Sequence, residues 1–343
     1  MALIDSEGFG FSAVSGDYLT YGVLRGANWT ISTGGPFGDN YFNIGNTNGG
    51  SPIRNLPSSA TTFFTGCRVN LVTQSPNTVT AFYFCDISGN AQLTMTFNIT
   101  TGIISVYRGS TAVFLGSTAS VLPASGWRFV EFGATIHSSS GTVTVKVDGV
   151  TVLNLAGQNT QGYVSSTTVG LVNWASQSAS YNGCSIAHWY FCDDSGSAPW
   201  NTFLGDVRVQ TVFPTSNDAV QFTPVGLASN WQNAAKVPPV PAVDYNSDTV
   251  VGHQDTFNCG ASAAGVTSVY GVHVKALFQK TDAGARSMQT VLKSGVTTDL
   301  GPSTAISSST QQVKKIYQTD PNTSAQWTLS NANAAQPGYK ISA

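Results

Sequence analysis

Asp193 and Asp194 are the best-placed pair of carboxylates in the sequence, and they raise the question of bond cleavage. Glycoside hydrolysis needs two carboxyl groups across one scissile bond, one acting as acid and the other as base or nucleophile. Glutamate occurs only as Glu7 and Glu131, and no Glu-x-Asp or Glu-x-x-x-Glu cluster exists. Adjacent strand residues point to opposite faces, so Asp193 and Asp194 cannot easily serve one bond. The four histidines (His137, His188, His253 and His273) stand apart, with no His-x-x-x-His spacing for a metal and no Gly-x-Ser-x-Gly nucleophile elbow. These residue types predict a protein without catalytic activity, and a glycan hydrolase is the least favoured reading.

Two other constellations could bind. Asp193, Asp194 and Ser195 make an oxygen-rich turn after a buried-looking strand, and Asp206 follows in Phe-Leu-Gly-Asp-Val-Arg-Val. Calcium takes oxygen ligands of this kind, so a calcium site at Asp193, Asp194 and Asp206 is one expectation. The plainer reading is preferred: an Asx-type turn at Asp193-Asp194, and an Asp206 that pairs with Arg208 or caps a backbone group. No cofactor is required by anything else in the chain. Trp29, Tyr41, Phe42, Trp174, Tyr181 and Trp200 sit among Gly, Asn and Ser, which reads as exposed loop. Such rings can stack on a pyranose or anchor a subunit interface, and the interface reading is slightly preferred.

Composition narrows the classes further. Only 9% of residues are charged, where soluble domains carry about 25%. Gly, Ser, Thr and Asn stand in their place, which favours strands and tight turns over helices. A net charge of −2 with no basic stripe argues against nucleic acid. No apolar run approaches the roughly 18 residues of a spanning helix, so no membrane insertion is expected. The first residues lack the basic start and apolar run of a secretory leader. Cys67, Cys85, Cys184, Cys192 and Cys259 are odd in number and scattered, which suits buried thiols made in a reducing cytoplasm.

The elements that must position these residues are short strands. Val143, Val145 and Val147 alternate with polar residues, Asp148-Gly149 follows, and Val150, Val152 and Leu155 return. Asp-Gly accepts the positive φ angles of a type I′ hairpin turn. The same grammar predicts strands at 62–72, 79–86, 92–99, 102–108, 113–115, 127–136, 185–192 and 204–212. Beyond Phe213-Pro214 alternation fades, and the Pro-rich stretch near Val237 reads as a semi-rigid connector. Further strands are predicted at 268–279, 287–293, 312–318 and 326–329. The expected organisation is therefore a jelly-roll domain over 1–213 with an N-terminal arm, a linker over 214–244, and a small β-sandwich over 245–343.

Gly126-Trp127-Arg128-Phe129-Val130-Glu131, the hairpin from Gly141 to Leu155, and Phe191-Cys192-Asp193-Asp194-Ser195-Gly196 together resemble a known group. Phe203-Leu204-Gly205-Asp206-Val207-Arg208-Val209, Phe222-Thr223-Pro224, Asn230-Trp231 and Asp282 to Arg286 extend the likeness over most of the chain. It is similar to tailed-bacteriophage virion proteins carrying a concanavalin A-like (laminin G-like) jelly-roll domain. The resemblance implies an all-β fold and a non-enzymatic structural protein in tail, baseplate or head appendage. It also implies other virion proteins as partners, a homo-oligomer, location in the virion after synthesis in the host cytoplasm, and contact with host-surface glycans. A carbohydrate-binding adhesin is the alternative. Asn233-Ala234-Ala235-Lys236 departs from a segment that is often acidic in that group.

Overall fold

The computed structural model describes residues 3–10, 18, 24, 26, 29–44, 52–71, 79–176, 184–240 and 242–343. Over most of the chain they fall into two compact units, divided between Val209 and Gln210.

The first unit is a two-sheet jelly-roll sandwich. Its strands begin with β1 (Leu3–Glu7), β2 (Trp29–Ser32), β3 (Tyr41–Ile44), β4 (Ile53–Ala60) and β5 (Thr62–Leu71). An antiparallel meander follows: β6 (Val79–Cys85), β7 (Ala91–Asn98), β8 (Ile103–Arg108) and β9 (Val113–Ser120). The last five are β10 (Trp127–Thr135), β11 (Gly141–Val147), β12 (Val150–Gln158), β13 (Val169–Ser176) and β14 (Cys184–Asp193). One sheet runs β12-β11-β10-β5-β14-β3-β2 with β1 added on β14, and the other runs β4-β13-β6-β7-β8-β9.

Alternation decides which side chains meet between the sheets. Phe84 of one sheet stacks on Phe132 of the other at 4.7 Å, and Phe63 lies 5.3 Å from Phe191. All four are buried, each contributing about 1.5–3 kcal/mol of transfer free energy. Cys67, Cys85, Cys184 and Cys192 are buried free thiols, and Cys259 is half-buried. The β11–β12 hairpin turns at Asp148 (φ 48°) and Gly149 (φ 81°), as a type I′ turn requires.

Residues 204–212, expected as a strand, form none. Gly205 at φ 79° breaks the extended run. The segment is instead fastened to the back of the larger sheet. Leu204 N donates to Tyr190 Oη, Gly205 N to Glu131 Oε1, and the Phe203 ring packs edge-on to Phe64 at 5.0 Å.

The second unit is a smaller β-sandwich. It contains β15 (Pro214–Ala219), β16 (Thr223–Val225), α1 (Asn230–Ala234), β17 (Tyr245–Ser247), β18 (Gln254–Cys259) and β19 (Val272–Phe278). Then come β20 (Ser287–Ser294), β21 (Thr297–Leu300), β22 (Thr304–Ala305), β23 (Gln311–Tyr317), α2 (Leu329–Ala334) and β24 (Gln336–Ile341). The sheet β15-β18-β24-β20-β21 faces the β19–β23 ribbon across Phe222, Phe278, Met288, Val313 and Ile341.

Residues 214–244, expected as a linker, belong to this unit. β15 pairs with β18 and β16 with β17. The buried Asp255 carboxylate accepts from Gln221 N, Phe222 N, Asn230 Nδ2 and Tyr339 Oη at 2.7–3.0 Å. These strands bury little apolar surface, which is why alternation fails to announce them. At 326–329 the expected strand gives way to a helix start, where Thr328 Oγ1 accepts from Asn331 N.

Candidate functional site

Register partners on neighbouring strands place their side chains on one face of a sheet. Across the six-stranded sheet the partners run Asn173 on β13, Tyr83 on β6, Thr94 on β7, Tyr107 on β8 and Phe114 on β9. Phe82 and Phe84 flank Tyr83 and point into the core, so this row lies on the outer face. The Tyr107 and Phe114 rings lie 5.6 Å apart, and Phe114 is 57% exposed. At its β13–β6 end the row enters a cleft of about 440 Å³. Tyr83, Cys85, Asn90, Tyr163 and Asn173 line it together with Gly109 and Gly162.

Three local devices shape the cleft. In the β6–β7 turn, Asp86 Oδ1 accepts from Ser88 N and Asn90 N at 2.9 Å, and Asn90 Nδ2 donates to Asp86 Oδ2. Gly89 at φ 90° closes that turn. From β7, the fully buried Gln92 reaches under the loop after β12. Its Oε1 accepts from Gly162 N (2.9 Å) and Tyr163 N (3.2 Å), and its Nε2 donates to Ser166 O (2.9 Å). Gly162 fits so closely that a Cβ there would lie 2.4–2.7 Å from Ala91 O, Gln92 O and Gly109 N. Tyr163, held by this clamp, is 41% exposed.

The cleft is uncharged. Its lining contains no Asp, Glu, Lys, Arg or His. Burial pushes the Cys85 thiol up to about 12, with the Asp86 charge adding to the effect, so the sulfur is a protonated, unreactive wall. Arg108 is the register partner of Leu93 and so shares the inner face, away from the cleft.

A second group of chemistry-bearing side chains stands on the larger sheet. The guanidinium carbons of Arg68 and Arg208 lie 4.8 Å and 4.6 Å from the centre of the Phe37 ring. Asp39 Oδ2 is 3.2 Å from His188 Nε2 and 3.5 Å from Arg208. His188 is fully buried at φ 53°, and its Nδ1 faces the backbone of Val209 at 3.2–3.3 Å. Burial lowers its pKa to about 4, and the Arg208 and Arg68 charges reinforce the shift against Asp39. The imidazole is therefore neutral at pH 7, and the group fastens residues 206–209 to the sheet.

The aromatic residues expected in exposed loops lie elsewhere. Trp29 is buried in β2, Phe42 in β3 and Trp174 in β13, and Trp200 is 8% exposed. Trp174 sits edge-on to Trp189, Phe42 and Phe82 at 5.3–6.4 Å. Tyr41 is half-buried against Trp127, and Tyr181 lies outside the described residues. The correction has a simple cause: Val172 and Trp174 share one face of β13, and only the polar Asn173 between them faces out. The same period-two signal marks Tyr83, between Phe82 and Phe84, as an outward ring.

Asp193, Asp194 and Asp206 do not converge. Asp193 Oδ1 accepts from the Ser195 backbone and hydroxyl, an Asx-type turn. Asp206 is bidentate to Arg68, at 2.7 and 2.5 Å, and not paired with Arg208. Among the described residues no group of three or more His, Cys, Asp or Glu is placed to hold a metal ion.

No protein-family model matches the chain, and no curated protein sequence matches it. Among solved structures, a galectin-like protein of unknown function from Bacillus subtilis is 10% identical, covering 56% of this chain and 96% of that one at a TM-score of 0.38. Peanut lectin is 10% identical, covering 56% and 97% at a TM-score of 0.36. An alginate lyase, solved as a mutant with an alginate trisaccharide, is 15% identical, covering 56% and 98% at a TM-score of 0.37. At these identities the likeness is one of fold alone, and no residue of the cleft is assigned from it.

Proposed function

We propose that this chain is a non-enzymatic glycan-binding protein whose first unit takes a saccharide into the Tyr83–Tyr163 cleft. The observation that carries the proposal is the outward row of rings and amides leading into an uncharged cleft. Aromatic rings stack on the apolar faces of sugars, while Asn amides and backbone groups match hydroxyls. The absence of catalysis is supported by the lining, which offers neither the two carboxylates of a glycosidase nor an ionisable thiol. Binding to a panel of bacterial and plant polysaccharides, measured by affinity electrophoresis, tests the proposal. Retardation should disappear in Tyr163→Ala at unchanged Tm, and no retardation by any polysaccharide would overturn it. Reducing-end release that vanishes in Asp193→Asn or Asp194→Asn would instead establish a hydrolase.

For its setting we propose a tailed-phage virion, in tail, baseplate or head appendage, where copies of the chain assemble with other virion subunits and present the cleft to host-surface glycans. The support is the sequence resemblance, and its motifs map onto the frame of the sandwich. Arg128 pairs with Asp148, Glu131 receives Tyr190 Oη at 2.6 Å, and Asp206 holds Arg68. These contacts fix the scaffold that carries the cleft. Mass spectrometry of purified particles is the test, and absence of the chain from them would overturn this setting.

A further inference from the structure

The reading of the first unit as a glycan binder leaves open what kind of glycan it takes. The row answers more of this than the cleft alone. From Asn173 to Phe114 it crosses β13, β6, β7, β8 and β9, four interstrand steps or about 19 Å. Its aromatic members are spaced by whole strands: Tyr83 and Tyr107 lie two strands apart, about 10 Å, and Phe114 adds one more step.

Along this row Phe114 is exposed, Tyr83, Tyr107 and Asn173 are half-buried, and Thr94 is buried. Ala81 and Thr96, register partners one step along the strands, are 0% and 6% exposed. Cys85 and Gln92, on the opposite side, are 4% and 0% exposed. Thr94 forms the floor, its hydroxyl donating to Gly109 O. A ligand following the line of rings runs across the strands and meets Tyr83, Tyr107 and Phe114 in turn.

Charge gives the second constraint. None of the row is an Asp, Glu, Lys, Arg or His, and the Asp86 carboxylate of the β6–β7 turn is engaged by Ser88 N, Asn90 N and Asn90 Nδ2. An acidic sugar would lose hydration on entry without a cation to meet it, at a cost of kilocalories. A divalent cation would find no carboxylate in the lining to hold it.

We infer that the ligand is a linear, uncharged glycan several residues long, lying across the six-stranded sheet from Asn173 to Phe114 and bound without a divalent cation. The inference rests on the glycan-binding reading, and the experiment separates the two. Isothermal titration of the full chain would use neutral gluco-, manno- and galacto-oligosaccharides from mono- to hexasaccharide, alongside uronate-containing and sialylated oligosaccharides of matched length. Each is run with calcium and with EDTA.

The expected result is binding by a neutral series, with affinity rising over the first several units and unchanged by EDTA. Phe114→Ala and Tyr107→Ala should each weaken the longest neutral ligand by about tenfold and leave the disaccharide unaffected. Tyr107→Trp should restore the affinity. Preference for acidic glycans, loss of binding in EDTA, or affinity that is flat with length would overturn this inference while sparing the broader one. Failure of every saccharide to bind would overturn the glycan-binding reading itself.

Discussion

Replacing Gln92 with Ala should loosen the wall of the cleft from beneath. Gln92 is fully buried and makes three hydrogen bonds to the loop after β12: Gly162 N, Tyr163 N and Ser166 O. A neutral hydrogen bond contributes about 1 kcal/mol net, and a buried group left without a partner costs about 1–3 kcal/mol. The Ser166 carbonyl keeps a second donor, Gln161 Nε2 at 3.1 Å, so the orphaned groups are the two amides. The expected loss is about 2–4 kcal/mol.

Urea unfolding followed by tryptophan fluorescence reads this unit well, because five of the seven tryptophans lie in it (Trp29, Trp127, Trp174, Trp189 and Trp200). Native-state hydrogen exchange should show lost protection confined first to Gly162 and Tyr163. Gln92→Glu keeps the acceptor but loses the donor and buries a charge, so it should not rescue. A change below about 0.5 kcal/mol, with exchange at Gly162 and Tyr163 unaltered, would refute the clamp.

Gly162→Ala must push its loop off three backbone atoms at 2.4–2.7 Å, so both Tm and saccharide affinity should fall, the former by about 1–3 kcal/mol in stability. Acid should weaken the first unit through His188. Its pKa is lowered from 6.5 to about 4 on folding, so the unfolded chain takes the proton first. The associated stability is complete above pH 6.5 and is lost as pH falls through about 4, up to about 3 kcal/mol in all. His188→Asn, which tolerates positive φ, should flatten unfolding free energy against pH over that window, and an unchanged slope would count against the assignment. Glu131→Ala strands Tyr190 Oη and Gly205 N, and should cost about 2–4 kcal/mol in urea unfolding with early exchange at Gly205. Glu131→Gln, keeping an acceptor, should cost less.

Much of the scaffold was legible residue by residue. The β11–β12 hairpin needs only Asp148-Gly149 and alternating valines, both local features, and the meander from β6 to β9 is punctuated by Ser88-Gly89-Asn90 and Thr100-Thr101-Gly102. The paired strands of 214–225 were hidden because they bury few apolar side chains, and pairing of exposed backbone leaves no period in a sequence.

The binding face was not legible, for a different reason. Asn173, Tyr83, Thr94, Tyr107 and Phe114 are unremarkable singly and become a row only when five strands align in register. The polar neighbours of Trp174 and Trp29 read as exposed loop, yet strand alternation turns these rings inward and their neighbours out. Asp206 likewise meets Arg68, 138 residues away in sequence, a partner that no local spacing announces. Local sequence determined where this chain turns and which residues alternate. Only the tertiary structure decided which face each ring occupies, because that depends on strand partners distant in the sequence.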